Sequence, residues 1–121
     1  MMRAEPVPSG MQFRVMPGPK PVRDQIWLVQ ATVSHVMGVP LNDLCAATRR
    51  HPKAAFVRQV AMYMCHVVFE VGISDAARAF GRDPSTVVHA LRRIEEMRED
   101  AELDRMLQLL EALLIQAWRN T

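Results

Sequence analysis

Cysteine and aromatic residues are scarce in this chain of 121 residues. Its two cysteines, Cys45 and Cys65, are too few for the disulfide framework of a small secreted domain, and they form no Cys-x-x-Cys zinc spacing. We expect both thiols to be reduced and buried. Aromatic residues make up 6% of the chain while nine residues are methionine, a composition that suits a small helical protein.

Long apolar runs are also missing. No run approaches the roughly 20 residues of a membrane span, and the first residues lack the continuous apolar segment of a signal peptide. We therefore expect a cytoplasmic protein without a membrane partner. No G-x-x-x-x-G-K-[ST] motif occurs, which excludes a P-loop ATPase within this sequence. No catalytic arrangement is legible either, so we expect no enzyme, no metal and no cofactor.

Proline is concentrated at one end, with five of the eight prolines within the first 23 residues. That stretch has no hydrophobic periodicity, which predicts a disordered arm over residues 1–23 and one domain over residues 24–121. Within the arm, "QFRVMP" loosely resembles short peptides that dock on sliding clamps, a kind of match that arises readily by chance.

Apolar residues recur at helical spacing through most of the remainder, which predicts a compact all-α domain. Asp24 is predicted to cap a first helix that ends at Gly38. A helix over about residues 53–71 is predicted to end at Gly72, and a last amphipathic helix follows Asp100. Val36 and Val67 belong to the predicted apolar faces.

Residues 73–91, "ISDAARAFGRDPSTVVHAL", have the pattern of a helix-turn-helix. Ser74 is predicted to cap a short helix that ends at Phe80-Gly81. Asp83 then serves as the next N-cap, and Pro84 suits the first helical position. Two helices joined by three or four residues, with glycine in the turn, define this motif.

The second helix of the motif is predicted to be amphipathic. Val88, Leu91 and Ile94 form the predicted apolar stripe, and polar residues occupy the opposite face. In a helix-turn-helix protein the N-terminal residues of this helix approach base edges in the major groove. Ser85 and Thr86 are predicted to contact bases, and His89 is predicted to reach a base or a phosphate. The predicted phosphate contacts are Arg82 and Arg92 or Arg93. The plainer alternative is a solvated surface without a partner.

Charge is distributed unevenly along the chain. Residues 44–93 contain eight Arg or Lys against three acidic residues, a net charge of +5. Residues 95–121 contain three basic and seven acidic residues, a net charge of −4. A basic centre beside an acidic end favours a polyanionic partner that binds one face only.

Three stretches, in order, resemble the C-terminal DNA-binding domain (domain IV) of DnaA, the bacterial replication initiator. "VQATVSHVMGVPLNDLC" resembles its first helix and the turn that follows, and "RRHPKAAFVRQVAMYM" resembles its basic loop and next helix. "ISDAARAFGRDPSTVVHALRRIEEMRE" resembles its signature helix-turn-helix, with Gly-Arg-Asp-x-Ser-Thr-Val-x-His-Ala as the most specific part. The resemblance spans about residues 24–110.

The resemblance implies roles for individual residues. Major-groove contacts to the DnaA box are implied for Arg82, Asp83, Ser85, Thr86 and His89. The basic loop contains Arg49, Arg50 and Lys53, and Arg58 corresponds to an arginine that contacts the DNA backbone.

Two positions depart from the family pattern. Pro84 stands where the family usually has a histidine that helps to recognise thymine. Phe56 stands where the family usually has an arginine that reaches into the minor groove. Each lost base contact typically costs roughly 1–3 kcal/mol of binding free energy, so the specificity for a standard box is expected to change.

Two functions remain open at the level of sequence. The first is a DNA-binding protein, without the ATPase module, that binds DnaA-box-like sites in double-stranded DNA at the nucleoid and regulates replication initiation or transcription. The second is a protein-interaction module that modulates DnaA or its regulatory proteins without strong DNA binding. For either function we expect a monomer.

Overall fold

The computed structural model describes residues 20–45 and 52–120, and these residues form six helices and no strand. The predicted all-α class is therefore confirmed. In chain order the helices are α1 (Lys20–Met37), α2 (Leu41–Leu44), α3 (Ala54–Phe69), α4 (Ile73–Phe80), α5 (Pro84–Met97) and α6 (Ala101–Arg119). Within the described residues, no helix has the length and apolar character that a membrane crossing requires.

The first helix begins earlier than its sequence pattern indicates. α1 starts at Lys20, so Asp24 lies inside the helix and the prediction that it is the N-cap was wrong. Pro21 is compatible with this start because the first-turn N–H groups have no partner within the helix. The predicted boundary after residue 23 therefore falls within α1. Residues 1–19, with the "QFRVMP" stretch, lie outside the described residues.

The hydrophobic core is built around α3, which packs against each of the other five helices. Six consecutive residues of this helix, 60–65, are buried, and Ala54, Val57 and Arg58 are buried as well, so the helix does not have a one-sided amphipathic pattern. A helix that is surrounded in this way is apolar on nearly all sides. Its last turn is different, because Val67 is 41% exposed, and Val36 at the end of α1 is 49% exposed. The prediction that these two valines point inward was wrong.

α3 ends at Phe69, ahead of the predicted end at Gly72. Glu70 adopts the left-handed conformation that usually closes a helix at glycine, with φ of 56°. Its N–H donates to the carbonyl of His66 at 2.9 Å, and the Val71 N–H donates to the carbonyl of Cys65 at 3.1 Å. The turn returns Val71 to the core, where it is 3% exposed. Burial of this valine explains why the chain turns before the glycine.

A cluster of charged and polar side chains fixes α6 to the rest of the domain. Arg98, just after α5, donates to Asp104 at 2.5 Å and to Glu111 at 2.7 Å. It also donates to the Tyr63 hydroxyl at 3.1 Å, and that hydroxyl donates to Glu95 at 2.6 Å. The Arg98 guanidinium lies 5.8 Å from the centre of the Tyr63 ring. The cluster joins α3, α5 and α6.

The cluster shifts the pKa of two of its members. Burial acts to lower the pKa of Arg98, but its hydrogen bonds to Glu111, Tyr63 and Asp104 raise the pKa overall. Burial and the hydrogen bond to Glu95 raise the pKa of Tyr63 above its ordinary value. Both shifts favour the protonated forms that make these contacts. Nothing in the sequence pattern pointed to this cluster, because its members lie far apart along the chain.

Candidate nucleic-acid interface

The turn between α4 and α5 has the geometry that the sequence predicts. Gly81 adopts the left-handed conformation with φ of 63° and ends α4. The Arg82 N–H donates to the carbonyl of Ala77 at 2.9 Å, and the Gly81 N–H donates to the carbonyl of Arg78 at 3.3 Å. This pair of hydrogen bonds is a Schellman motif. The start of α4 differs from the prediction, because Gly72 occupies the cap position and Ser74 lies inside the helix.

Apolar side chains hold the two helices of the motif together. Phe80 is fully buried and Ala77 is 3% exposed, so both side chains of α4 belong to the core. On α5 the buried residues are Val87, Ala90 and Ile94. Of the predicted stripe, Ile94 is buried and Leu91 is partly buried against the core, but Val88 is 40% exposed, so the prediction was wrong for Val88. Val88 instead lines an open groove between α3 and α5.

Asp83 precedes α5, and its side-chain carboxylate does not bond to the first turn of the helix. Asp83 occupies the N-cap position with extended φ and ψ of −72° and 149°, and Pro84 is the first helical residue, both as predicted. The Asp83 carbonyl accepts from the Thr86 N–H at 3.0 Å. The Asp83 side chain, however, makes no capping hydrogen bond. Its exposed carboxylate is therefore available to a group outside the domain.

The polar residues predicted for contact lie on one exposed face of α5. Residues three and four apart share a side of a helix, so Ser85, His89 and Arg92 form a line. Thr86 and Arg93 lie beside that line. All five side chains are exposed, as is Pro84. The fold thus presents two small hydroxyls, one imidazole and two guanidinium groups on a single surface, which we call the α5 face.

Arg82 lies at the end of the α5 face, within the turn. Its guanidinium donates to the carbonyls of Phe80 at 3.1 Å and Gly81 at 3.3 Å, and the residue is half-buried. These bonds orient the arginine along the last carbonyls of α4. The cation therefore sits beside the N-terminus of α5 in a defined position.

The basic loop is only partly covered by the described residues. Arg49 and Arg50 belong to residues 46–51, which lie outside the described residues. Lys53 is exposed and immediately precedes α3. The predicted DNA contacts of these three residues stay predictions.

Arg58 has an internal role that the sequence did not indicate. The residue is 8% exposed, and its guanidinium donates to the carbonyl of Leu44 at 2.6 Å and to that of Asp43 at 3.2 Å. Carbonyls at a helix C-terminus have no partner within the helix, and Arg58 satisfies them at the end of α2. It thereby fixes the point at which the chain enters residues 46–51. Its predicted contact with a DNA backbone stays a prediction.

Phe56 is half-buried and packs against the core. At the position where the resemblance implies an arginine, this chain has a residue that packs against the core. Pro84, the other departure, is exposed at the first position of α5. The two departures therefore differ in their structural consequences.

Together, a glycine turn, a short buried helix and a second helix with an exposed polar N-terminus define a helix-turn-helix domain. A family model described as bacterial dnaA protein helix-turn-helix matches residues 26–94, which run from α1 to the last turn of α5. The chain belongs to this family. The match is to the helix-turn-helix part of DnaA and not to its ATPase module.

Individual relatives agree with the family match. The chromosomal replication initiator protein DnaA of Anaplasma marginale is 36% identical over 91 residues, covering 74% of this chain and 19% of that protein. The DnaA of Tropheryma whipplei (strain Twist) is 34% identical over 74 residues, covering 61% and 15%. This chain thus spans about a fifth or less of the length of these relatives.

A solved structure also matches. The crystal structure of a DNA replication initiation factor superimposes with a TM-score of 0.72 at 28% identity, over 79% of this chain and 30% of that one. The fold of the helical domain is therefore that of a known replication initiation factor.

Proposed function

We propose that this chain binds double-stranded DNA in a sequence-specific manner at DnaA-box-like sites, and that it regulates chromosome replication initiation or transcription. In this role it acts in the cytoplasm, at the nucleoid, without catalysis. The α5 face carries the proposal, since its polar and cationic side chains are exposed while the opposite side of the helix is buried. Membership of the DnaA helix-turn-helix family supports it.

Each part of the α5 face has a chemical role in this proposal. Ser85 and Thr86 are short enough for the helix to approach base edges, and their hydroxyls donate, accept or contact a thymine methyl. His89 lies one turn further along the groove. The exposed carboxylate of Asp83 is suited to accept from the amino group of cytosine. These contacts would provide the sequence preference.

Cations around the α5 face would provide most of the affinity. Arg82, Arg92 and Arg93 are placed to neutralise phosphates on either side of the groove, and Lys53 with Arg49 and Arg50 would add contacts from the basic loop. Arg58 contributes indirectly as well, because it holds the end of α2 just before that loop. The acidic α6 is not part of the proposed surface.

Fluorescence anisotropy with two labelled duplexes tests this function. One duplex carries a DnaA box and the other has the same bases in scrambled order. Arg82→Ala and His89→Ala are each expected to weaken binding to the box, and replacement of Arg49, Arg50 and Lys53 by alanine is expected to weaken both duplexes alike and flatten the salt dependence.

Arg105→Ala is the matched control, because Arg105 is an exposed arginine of α6 outside the proposed surface. Circular dichroism checks that each variant keeps its helical content, as expected for surface substitutions. If Arg82→Ala and His89→Ala both bind the box as tightly as the parent does, α5 is not the recognition helix.

A second candidate is a protein-interaction module that modulates DnaA or its regulatory proteins. The observation that favours it is Phe56, which packs against the core where the family usually has a DNA-contacting arginine. The same titration separates the two functions, because phosphate contacts make DNA affinity fall steeply with salt. Failure of the parent chain to bind either duplex at low salt would favour the interaction module.

A further inference from the structure

α6 has exposed apolar side chains that the other described helices do not cover. Its core side is formed by Leu107, Leu110 and Leu114, all buried. Next to this core side, Leu109 is 66% exposed and Leu113 is 50% exposed. Met106, Leu109 and Leu113 are spaced by three and four residues, so they form one line along the helix. We call these three residues the α6 stripe. The helix lies outside the segment that the family model matches.

A depression adjoins the N-terminal end of the stripe. Met97, Leu103 and Met106 form its apolar part, and Glu96 and Glu102 contribute carboxylates. The depression is open to solvent and has a volume of about 710 Å³. Because Met106 belongs both to the stripe and to the depression, the two form one continuous apolar surface with an acidic edge.

The charges of α6 are opposite at its two ends. Glu102 and Asp104 lie in the first turn, and Arg119 lies in the last turn. A second α6 packed in the parallel direction would bring like charges together at each end. A second α6 packed in the antiparallel direction would bring Arg119 of one copy to Glu102 of the other and would also oppose the helix dipoles.

We propose that the α6 stripe is the interface of a two-fold symmetric dimer, in which a second copy of this chain packs its α6 antiparallel to the first. If the two helices cross at Leu109, Leu113 of each copy lies against Met106 and the depression of the other copy. The same patch then serves both partners, as two-fold symmetry requires. This proposal differs from the monomer that is expected from the sequence.

Sedimentation velocity of the full chain without DNA tests the dimer independently of the proposed function. Over concentrations from about 1 µM to 1 mM, the range in which a small interface dissociates, the mass is expected to rise from 13.7 kDa toward twice that value. Leu109→Lys is expected to raise the dissociation constant at least about tenfold, because it places a charge at the centre of the interface.

Ile115→Lys is the matched control. Ile115 is an apolar residue of the same helix that is 42% exposed, but it lies on a different side from the stripe. The control variant is expected to associate like the parent. Equal weakening by Leu109→Lys and Ile115→Lys, or a parent chain that stays monomeric throughout the range, overturns the proposal.

Exchange of charges tests the direction of packing. Arg119→Glu is expected to weaken the dimer, and the combination of Arg119→Glu with Glu102→Arg is expected to restore it, because every pair then has opposite signs again. If the combined variant is as weak as the single one, the antiparallel arrangement is wrong.

Discussion

The structure predicts that Arg98 contributes strongly to stability although it lies outside every helix. Its side chain is 18% exposed, and its two carboxylate partners, Asp104 and Glu111, have side chains that are 32% and 27% exposed. Replacement by methionine keeps a similar apolar stem but removes the charge and every hydrogen bond. Both carboxylates would then lose their cationic partner in a partly buried environment, and Tyr63 would lose a donor.

The expected loss lies between two measured limits. Removal of one partner from a fully buried ion pair costs about 3–5 kcal/mol, whereas a fully exposed pair is worth about 0.2–1 kcal/mol. Since the partners of Arg98 are about a third exposed, solvent screens part of the interaction. We expect Arg98→Met to lower the free energy of unfolding by about 2 kcal/mol, which corresponds to roughly 8–16 °C in Tm for a domain of this size.

Urea titration followed by tryptophan fluorescence measures this loss. Trp118 is a suitable reporter because its ring packs edge-on against Phe69, with 5.6 Å between ring centres, and so reports on the docking of α6. Arg93→Met, on the exposed surface of α5 and away from α6, is the control and should change stability by no more than about 0.5 kcal/mol. A loss of that small size for Arg98→Met would refute the reasoning, because it would mean that solvent already satisfies the carboxylates.

Three further predictions follow from single residues. Pro84→His is expected to tighten binding to a standard DnaA box by about 1–2 kcal/mol, and adding Phe56→Arg should give a smaller gain; anisotropy measures both, and a double variant that ignores the box would favour the interaction module. Burial raises the pKa of Cys65 and also, with the Glu95 hydrogen bond, that of Tyr63. The unfolded chain therefore loses these two protons at a lower pH than the folded chain does. The free energy of unfolding should fall as the pH rises above the ordinary pKa values of 9.0 for cysteine and 10.0 for tyrosine, and Tyr63→Phe should flatten the upper part of this decline in urea titrations. Glu70→Gly should raise stability by roughly 0.5–1 kcal/mol in thermal melts, because glycine adopts the left-handed φ without strain; a loss would show that the Glu70 side chain has a stabilising role.

The helix-turn-helix could be predicted because its determinants are local. Gly81 closes α4, and Asp83 with Pro84 opens α5 within three residues, so neither boundary depends on distant contacts. Local rules of capping and turn formation were sufficient here, which is why the predicted motif and the structure agree.

Features that depend on distant contacts were not predictable in this way. The end of α3 is set by burial of Val71, so the chain turns at Glu70 although a glycine is available two residues later. Arg58 was predicted from the resemblance as a DNA contact, and its bonds to α2 depend on a helix 14 residues earlier in the chain. Arg98 contacts residues that lie up to 35 positions away from it in the chain. A linear pattern carries no record of such pairings.

The residues that maintain the fold and those proposed to contact DNA form separate sets in α5. Val87, Ala90 and Ile94 are buried, whereas Ser85 and the rest of the α5 face are exposed. Substitution on the exposed side therefore changes the chemistry offered to a partner without loss of packing. Pro84 is such a substitution, because its missing N–H had no partner in the first turn and its ring is exposed. It follows that this chain keeps the fold of the DnaA helix-turn-helix family, and that under the proposed function its base preference is expected to differ at the position where the resemblance implies a histidine.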